Sequence, residues 1–173
     1  MSNNSIRDIL SALIYTIIGC RFLSNVTFTD IDCESIALTY AKINNTGITD
    51  SIDATISEIH SNLVLKYELQ IEVIFYLNIK FDGWISPQIK EHVFERWVLP
   101  INLNTKKKDA GHTQTFNTCM NIIHNCSSKI DHLPDNFSLY QYKIVYGNDK
   151  QINMSWFTKT IINTVKSGLS NVL

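Results

Sequence analysis

The sequence predicts an α+β fold, and three observations support this prediction. Apolar residues recur at helical spacing in three separate segments, which predicts three amphipathic helices. Residues 65–81 instead alternate between apolar and polar, which is typical of a half-buried antiparallel strand. The chain has 173 residues, enough for one ordinary domain, and contains no internal repeat or long linker. We therefore expect one domain in which three helices alternate with antiparallel strands and a β-rich C-terminal segment follows.

The N-terminal part of the chain predicts two helices with one short strand between them. The first helix should end near Phe22 or Leu23. It is defined by apolar residues at helical spacing, namely Ile6, Ile9, Leu10, Leu13, Ile14, Ile17 and Ile18. Residues 30–34 are polar and indicate a turn, and the alternation over residues 36–40 predicts a strand. Ser51 is a suitable N-cap for the second helix. The apolar side of that helix consists of Ile52, Ile56, Ile59 and Leu63.

The middle of the chain predicts a long β-hairpin. Every odd position over residues 65–81 is apolar and most even positions are polar, so one face of the first strand should be buried and the other wet. Asp82-Gly83 is a hairpin-turn sequence. Pro100 cannot donate a backbone hydrogen bond, which indicates an edge position or a bulge in the second strand. That strand is expected to use the apolar residues Val93, Trp97, Leu99, Ile101 and Leu103.

The C-terminal third predicts a helix, then strands, then a last helix. Alternation over residues 140–146 predicts a strand, and residues 151–156 are candidates for a strand that pairs back. The spacing of apolar residues over 157–168 indicates a terminal helix that closes near Gly168. The third helix should cover about residues 113–129, and its apolar side consists of Phe116, Cys119, Met120, Ile123 and Cys126.

Charge and hydropathy exclude several classes of function. The net charge is −1 and the pI about 6.5, so nothing attracts a phosphate backbone and no nucleic-acid partner is expected. Residues 9–20 form the longest uncharged stretch near the start, shorter than the roughly 20 apolar residues that span a bilayer. The preceding Arg7-Asp8 lacks the basic character of a signal peptide. We therefore expect no transmembrane segment, a cytoplasmic location and reduced thiols at Cys20, Cys33, Cys119 and Cys126.

Sequence motifs for catalysis and for cofactor or metal binding are missing. The chain has no glycine-rich phosphate loop, no nucleophile elbow and no H-E-X-X-H pair. The acidic residues at 30–34 fail the calcium-loop pattern at its defining glycine and glutamate. Cys119, His124 and Cys126 share a helix, but the paired C-X-X-C spacing of zinc sites is absent. We expect no catalytic residue, cofactor or metal, and a small enzyme using Cys or His chemistry is an alternative.

The third helix has a face that predicts a protein partner. No residue from 113 to 128 carries a formal charge, whereas a helix that faces water usually does. Depletion of charge is typical of the centre of protein interfaces. An asparagine-rich composition could produce the same pattern. The candidate partner-binding residues on the outward side are Gln114, Asn117, Asn121 and Asn125.

Trp84 and Ile85 are a second candidate for partner binding. They follow the Asp82-Gly83 turn and precede Pro87. A Trp-Ile pair beside a loop tip is either packed back onto the sheet or offered to a partner, and Trp is enriched at binding hot spots. The pattern alone leaves both interpretations open.

Several short motifs, taken together and in order, resemble a known family. The opening helix contains the sequence LSALIYTIIGCR at residues 10–21, and Trp84 precedes the sequence FERW at residues 94–97. The other matching segments are residues 30–34, 38–42, 132–134 and 139–144. In order and spacing the chain is similar to the autophagy-related protein 101 family, HORMA-domain subunits of autophagy-initiation kinase complexes.

The resemblance implies a fold, a partner and a location. The fold would be a single HORMA domain over residues 1–173, with three helices packed on an antiparallel sheet, a C-terminal β segment and a terminal helix. The protein would be a non-enzymatic adaptor at the autophagosome assembly site, where it pairs with and stabilises the HORMA domain of autophagy-related protein 13. Trp84, with Ile85 beside it, would match a finger that recruits downstream factors. The family's Trp-Pro-Phe sequence is replaced here by Trp84-Ile-Ser-Pro87.

An alternative within the same fold is a HORMA protein of the spindle-checkpoint or meiotic type, which traps a peptide under its C-terminal segment. A protein of that type usually needs a long and mobile C-terminal segment. Here only residues 139–173 are left for it, and much of that stretch is predicted as helix. This length favours the autophagy adaptor.

Overall fold

The computed structural model describes residues 3–21, 26–66, 68–81, 88–102, 111–130, 133, 141–147 and 161–164. Within these residues the chain forms three helices, namely α1 (Asn3–Gly19), α2 (Thr46–Lys66) and α3 (Gly111–Ser128). The strands are β1 (Phe28–Cys33), β2 (Leu38–Ile43), β3 (Glu68–Phe81), β4 (Gln88–Asn102), β5 (Gln141–Gly147) and β6 (Ile161–Thr164). The predicted α+β class is confirmed.

The strands form two sheets. The strands β1 and β2 pair as an antiparallel hairpin, and the other four form a sheet in the order β5-β3-β4-β6. Within that sheet β3 is antiparallel to both β4 and β5, whereas β6 runs parallel to β4. Pro100 is in register with Gln70 on β3 and lies two residues beyond residues 95–98, the segment of β4 that pairs with β6.

The helices bury one face of the four-stranded sheet. The helix α1 lies centrally and contacts α2, α3, β2 and β3. Its apolar residues join those of the sheet in one continuous core. The buried residues of that sheet face are Leu69, Ile71, Val73, Phe75, Trp97, Leu99 and Ile101. Burial of this face is the main source of stability for both layers.

The end of α1 is fixed by an ion pair inside the core. The guanidinium of Arg21 donates to both carboxylate oxygens of Glu95 on β4, with Nε–Oε2 and Nη2–Oε1 distances of 2.7 and 2.8 Å. Arg21 Nη1 also donates to the backbone carbonyl of Cys126 in α3, at 3.0 Å. The indole of Trp97 donates to Glu95 Oε1 at 2.6 Å. Since Arg21 is 3% exposed and Glu95 is 0% exposed, each charge depends on the other.

A second buried ion pair lies on the opposite face of the sheet and corrects the prediction of one wet face for β3. Arg96 Nε donates to Glu72 Oε2 at 2.7 Å, and Arg96 Nη2 donates to the other carboxylate oxygen. Gln70 also donates to Glu72. Both charged residues and the neighbouring Ile74 are buried. The polar even positions are therefore internal here, because the ion pair satisfies them.

The boundaries of several elements differ from the predictions. The first helix ends at Gly19 rather than near Phe22. The second begins at Thr46, because the Asn45 side chain accepts a hydrogen bond from the Ile48 amide at 3.2 Å and so caps it instead of Ser51. It also runs to Lys66, so β3 begins three residues later than the alternation implied. Its predicted buried stripe is confirmed.

Two segments have a different secondary structure from the one predicted. Residues 30–33 belong to strand β1, with Asp30 and Asp32 exposed and Cys33 buried, and the turn comes at residues 34–37. The predicted terminal helix is wrong for residues 161–164, which form β6. Adjacent isoleucines and a threonine favour a strand beside the open edge of β4. The rest of that predicted helix and residues 151–156 lie outside the described residues.

We predict that replacing Arg21 with Met lowers the free energy of unfolding by about 3–5 kcal/mol, because the carboxylate of Glu95 is left buried without its cation. Urea unfolding of the purified chain measures the effect. Arg7→Met is the matched control, since Arg7 is exposed on α1 and its guanidinium donates to the Ser57 hydroxyl at 3.3 Å. The control should change stability by about 0.5 kcal/mol or less.

The double variant Arg21→Met with Glu95→Gln tests the cause of that loss. The glutamine is neutral and keeps an oxygen that can accept from the Trp97 indole, so we expect a large part of the stability to return. A double variant as unstable as Arg21→Met alone would show that an unpaired buried charge is not responsible.

Candidate partner-binding surfaces

The helix α3 divides into a buried and an exposed side, and the division differs from the predicted apolar side. Cys119 and Cys126 are buried as predicted, together with three residues that the pattern did not select, Thr115, Thr118 and Ile122. Three predicted core residues face solvent instead, with exposures of 45% for Phe116, 48% for Met120 and 41% for Ile123. Threonines and cysteines are small enough for α3 to pack closely against α1. The bulky apolar residues are consequently left outside.

The exposed apolar residues of α3 line a groove. The groove has a volume of about 340 Å³ and lies between α1, the β1–β2 hairpin and α3. Gly19 permits the close approach of the hairpin, since a Cβ atom there would lie 3.3 Å from the Phe28 ring. The main apolar lining of the groove consists of Tyr15, Cys20, Phe28, Leu38, Tyr40, Phe116, Met120 and Ile123. Sequence analysis missed this groove, because it depends on how the hairpin packs.

The aromatic floor of the groove is held in place by polar contacts. The Tyr15 hydroxyl donates to Asp53 Oδ1 at 2.8 Å, and Lys42 Nζ contacts the other oxygen of that carboxylate at 2.7 Å. The ring of Tyr15 stacks on Tyr40 with a centroid distance of 5.7 Å. Burial raises the pKa of Tyr40 to about 12, and burial and Asp53 raise the pKa of Tyr15. Both phenols are therefore neutral at physiological pH, and the floor suits apolar side chains.

The predicted asparagine face lies next to this groove. Asn117 and Asn121 are exposed, and each directly follows a residue that lines the groove, Phe116 or Met120. Asn125 is half-buried and directly precedes the buried Cys126. Asn125 Nδ2 donates to the Asn121 backbone carbonyl at 2.9 Å. Gln114 belongs to the first turns of α3. The asparagine face and the exposed apolar residues thus form one continuous uncharged surface along α3, and its role in binding stays a prediction.

The second candidate surface is carried by the β3–β4 hairpin. These strands remain paired as far as Phe81 and Gln88, and residues 78–81 and 88–92 are exposed on both faces. Ile79, Phe81 and Ile89 are large apolar residues in this outer part. The hairpin therefore projects beyond the helices. Trp84 and Ile85 lie outside the described residues, in the segment 82–87 that joins the two strands.

The candidate metal ligands do not converge. His124 is exposed on α3, whereas Cys119 and Cys126 are buried on its other side. Among the residues that the structure describes, no group of three His, Cys, Asp or Glu side chains could hold a metal ion. In the same part of the chain, no helix is both long and apolar enough to cross a membrane.

The sequence of the chain matches a known protein family. The model of the autophagy-related protein 101 family matches residues 1–138, a span that contains all three helices and strands β1 to β4. The chain belongs to the autophagy-related protein 101 family. It is therefore an autophagy-related protein, and this family of accessory proteins is not a known enzyme family. A search of curated proteins finds no match.

We predict that the same substitution at two adjacent isoleucines of α3 changes stability by very different amounts. Ile122→Ala should lower the free energy of unfolding by about 2–5 kcal/mol, because it opens a cavity between α3 and α1. Ile123→Ala should change it by only about 0.5 kcal/mol, because Ile123 faces the groove and solvent. Urea unfolding of both variants provides the comparison. Equal losses would contradict the orientation of α3 described above.

Proposed function

We propose that this chain is a non-enzymatic adaptor of the autophagy-initiation complex. It folds as a single HORMA domain over residues 1–173 and forms a heterodimer with the HORMA domain of autophagy-related protein 13, which it stabilises. It works in the cytoplasm at the autophagosome assembly site and helps to recruit downstream autophagy factors. Membership of the family supports the pathway, and the observation that carries the binding role is the uncharged exposed surface of α3.

The α3 surface has the chemistry of an interface centre. Phe116, Met120 and Ile123 each expose more than two fifths of their area, and they form one row along the helix. Single exposed apolar residues are common, but a contiguous row of large ones is typical of a binding site. Asn117 and Asn121 beside it can donate and accept hydrogen bonds without the desolvation cost of a charge. A partner helix or strand could bury this row and keep the amides satisfied at its edge.

The projecting β3–β4 hairpin supports a separate recruiting role. Its outer part carries exposed apolar residues on both faces. Ile79 and Phe81 lie on one face, and Ile89, which pairs with Lys80, lies on the other. Trp84 and Ile85 belong to residues 82–87, which join Phe81 to Gln88 along the chain. A loop carried on such a hairpin can reach a second partner while the α3 surface holds the first. Spatial separation of the two surfaces is what an adaptor requires.

We predict that Asn117→Lys and Asn121→Lys each weaken heterodimerisation by at least about tenfold, because an unpaired ammonium would be buried in the interface. The measurement is isothermal titration calorimetry with the purified HORMA domain of autophagy-related protein 13, supported by co-elution in size-exclusion chromatography. Ala54→Lys is the control, since Ala54 is exposed on α2. Unchanged affinity of both asparagine variants would mean that the α3 surface is not the interface.

We predict that Trp84→Ala leaves the free energy of unfolding within about 0.5 kcal/mol of the wild type and preserves heterodimerisation, but impairs autophagic flux in cells. The matched control is Trp97→Ala on the same hairpin. Trp97 is fully buried, so its removal should cost about 3–5 kcal/mol. Normal flux in cells that express a stable Trp84→Ala protein would exclude Trp84 from recruitment. A loss of stability as large as that of Trp97→Ala would instead place Trp84 in a packed core.

A further inference from the structure

The outer end of the β3–β4 hairpin extends beyond its described neighbours in the sheet. Within the described residues, β5 pairs with β3 as far as Tyr76, and β6 pairs with residues 95–98 of β4. Asn78 Nδ2 also donates to Gln141 Oε1 on β5 at 2.9 Å. Beyond Asn78 the hairpin continues for three cross-strand pairs, namely Ile79–Lys90, Lys80–Ile89 and Phe81–Gln88. We call these residues the ribbon end, and at about 3.4 Å per residue it is about 10 Å long.

The ribbon end presents large apolar side chains to water on both of its faces. The exposed fractions are 36% for Ile79, 49% for Phe81 and 65% for Ile89. Successive residues of a strand point to opposite faces, and cross-strand partners share a face. Ile79 and Phe81 therefore lie on one face, and Ile89 lies on the other. Exposed apolar clusters of this kind are typical of binding sites.

Each face of the ribbon end also carries one lysine. Lys90 is the partner of Ile79 on one face, and Lys80 is the partner of Ile89 on the other. Both lysines are exposed, and neither forms an ion pair with another residue in the described part of the chain. An ammonium group thus lies beside a large apolar side chain on both faces.

The charge of the outer hairpin is slightly positive. Glu91, at the base of the ribbon end, is already paired with Lys143 from β5. Asp82 follows the ribbon end directly in the sequence. Two lysines against one aspartate leave one net positive charge. Attraction to an anionic surface is therefore modest, and most of the binding free energy has to come from the apolar side chains.

We propose that the ribbon end inserts into the interfacial layer of an anionic phospholipid surface. An inserted element is surrounded by lipid, so apolar side chains on both faces are buried together. Peripheral elements enter the boundary between headgroups and acyl chains by about 5–10 Å, which the length of the ribbon end matches. The long stems of Lys80 and Lys90 can lie along the apolar layer while their ammonium groups contact lipid phosphates.

A flat protein surface fits the ribbon end less well than lipid does. Such a surface would cover either Ile89 or the pair of Ile79 and Phe81, and the apolar residues of the opposite face would stay in water. The inference goes beyond the proposed adaptor role, because lipid binding by the ribbon end requires neither the heterodimer nor Trp84.

The test is co-sedimentation of the purified full chain with vesicles. One set consists of phosphatidylcholine, and the other contains equal parts of phosphatidylcholine and phosphatidylserine. We expect binding to both sets, with an affinity about fivefold higher for the mixed vesicles, as one net positive charge predicts. Replacing Lys80 and Lys90 together with Gln should abolish this preference and keep the binding to phosphatidylcholine.

The double variant Phe81→Ser with Ile89→Ser should bind the mixed vesicles at least about tenfold more weakly, because it removes apolar area from both faces. The matched control is Leu65→Ser with Ile130→Ser. These residues are also apolar and exposed, by 78% and 56%, but lie outside the hairpin, so their replacement should leave binding unchanged. Trp84 and Ile85 stay intact in every variant, and circular dichroism checks that each one is folded.

Three results would overturn the proposal. The first is a wild-type chain that sediments with neither set of vesicles, and the second is equal weakening by the control and the ribbon-end variant. The third is a protein partner in place of lipid, shown if the Phe81→Ser, Ile89→Ser variant binds vesicles like the wild type but impairs autophagic flux in cells. Calorimetry with the HORMA domain of autophagy-related protein 13 tests the heterodimer separately, so either proposal can fail without the other.

Discussion

The buried contact between Arg21 and Glu95 constrains most of this structure. Removing two charges from water costs several kcal/mol per ion, and only good geometry with further hydrogen bonds recovers that cost. Here the guanidinium pairs with both carboxylate oxygens and also donates to the backbone carbonyl of Cys126. The Trp97 indole donates a further hydrogen bond to the Glu95 carboxylate. The end of α1, the last turns of α3 and the strand β4 must therefore meet at one point.

This constraint also determines what α3 presents to solvent. Since Arg21 donates to the carbonyl of Cys126, the turn that contains Cys126 is held against α1. The residues one, two and three turns earlier on the same stripe, which include Ile122 and Thr115, then face inward. Phe116, Met120 and Ile123 have to face outward, although their size and hydropathy would suit a core. The groove and the uncharged surface beside it follow from the placement of one buried ion pair.

The sequence predicted well the elements in which a single physical effect dominates. The buried residues of α2 were all predicted, because isoleucines and a leucine at helical spacing form one apolar side that packs into the core. For α3 two effects compete. Phe116 is more apolar than Thr115, but Thr115 fits the close approach to α1, and only the tertiary packing decides between them. Similarly, nothing local indicates that Glu72 is buried, since its partner Arg96 lies on another strand. Asp30 and Asp32 suggested a turn because they are charged. They belong to a strand because β1 pairs with β2, and their own segment does not indicate that pairing.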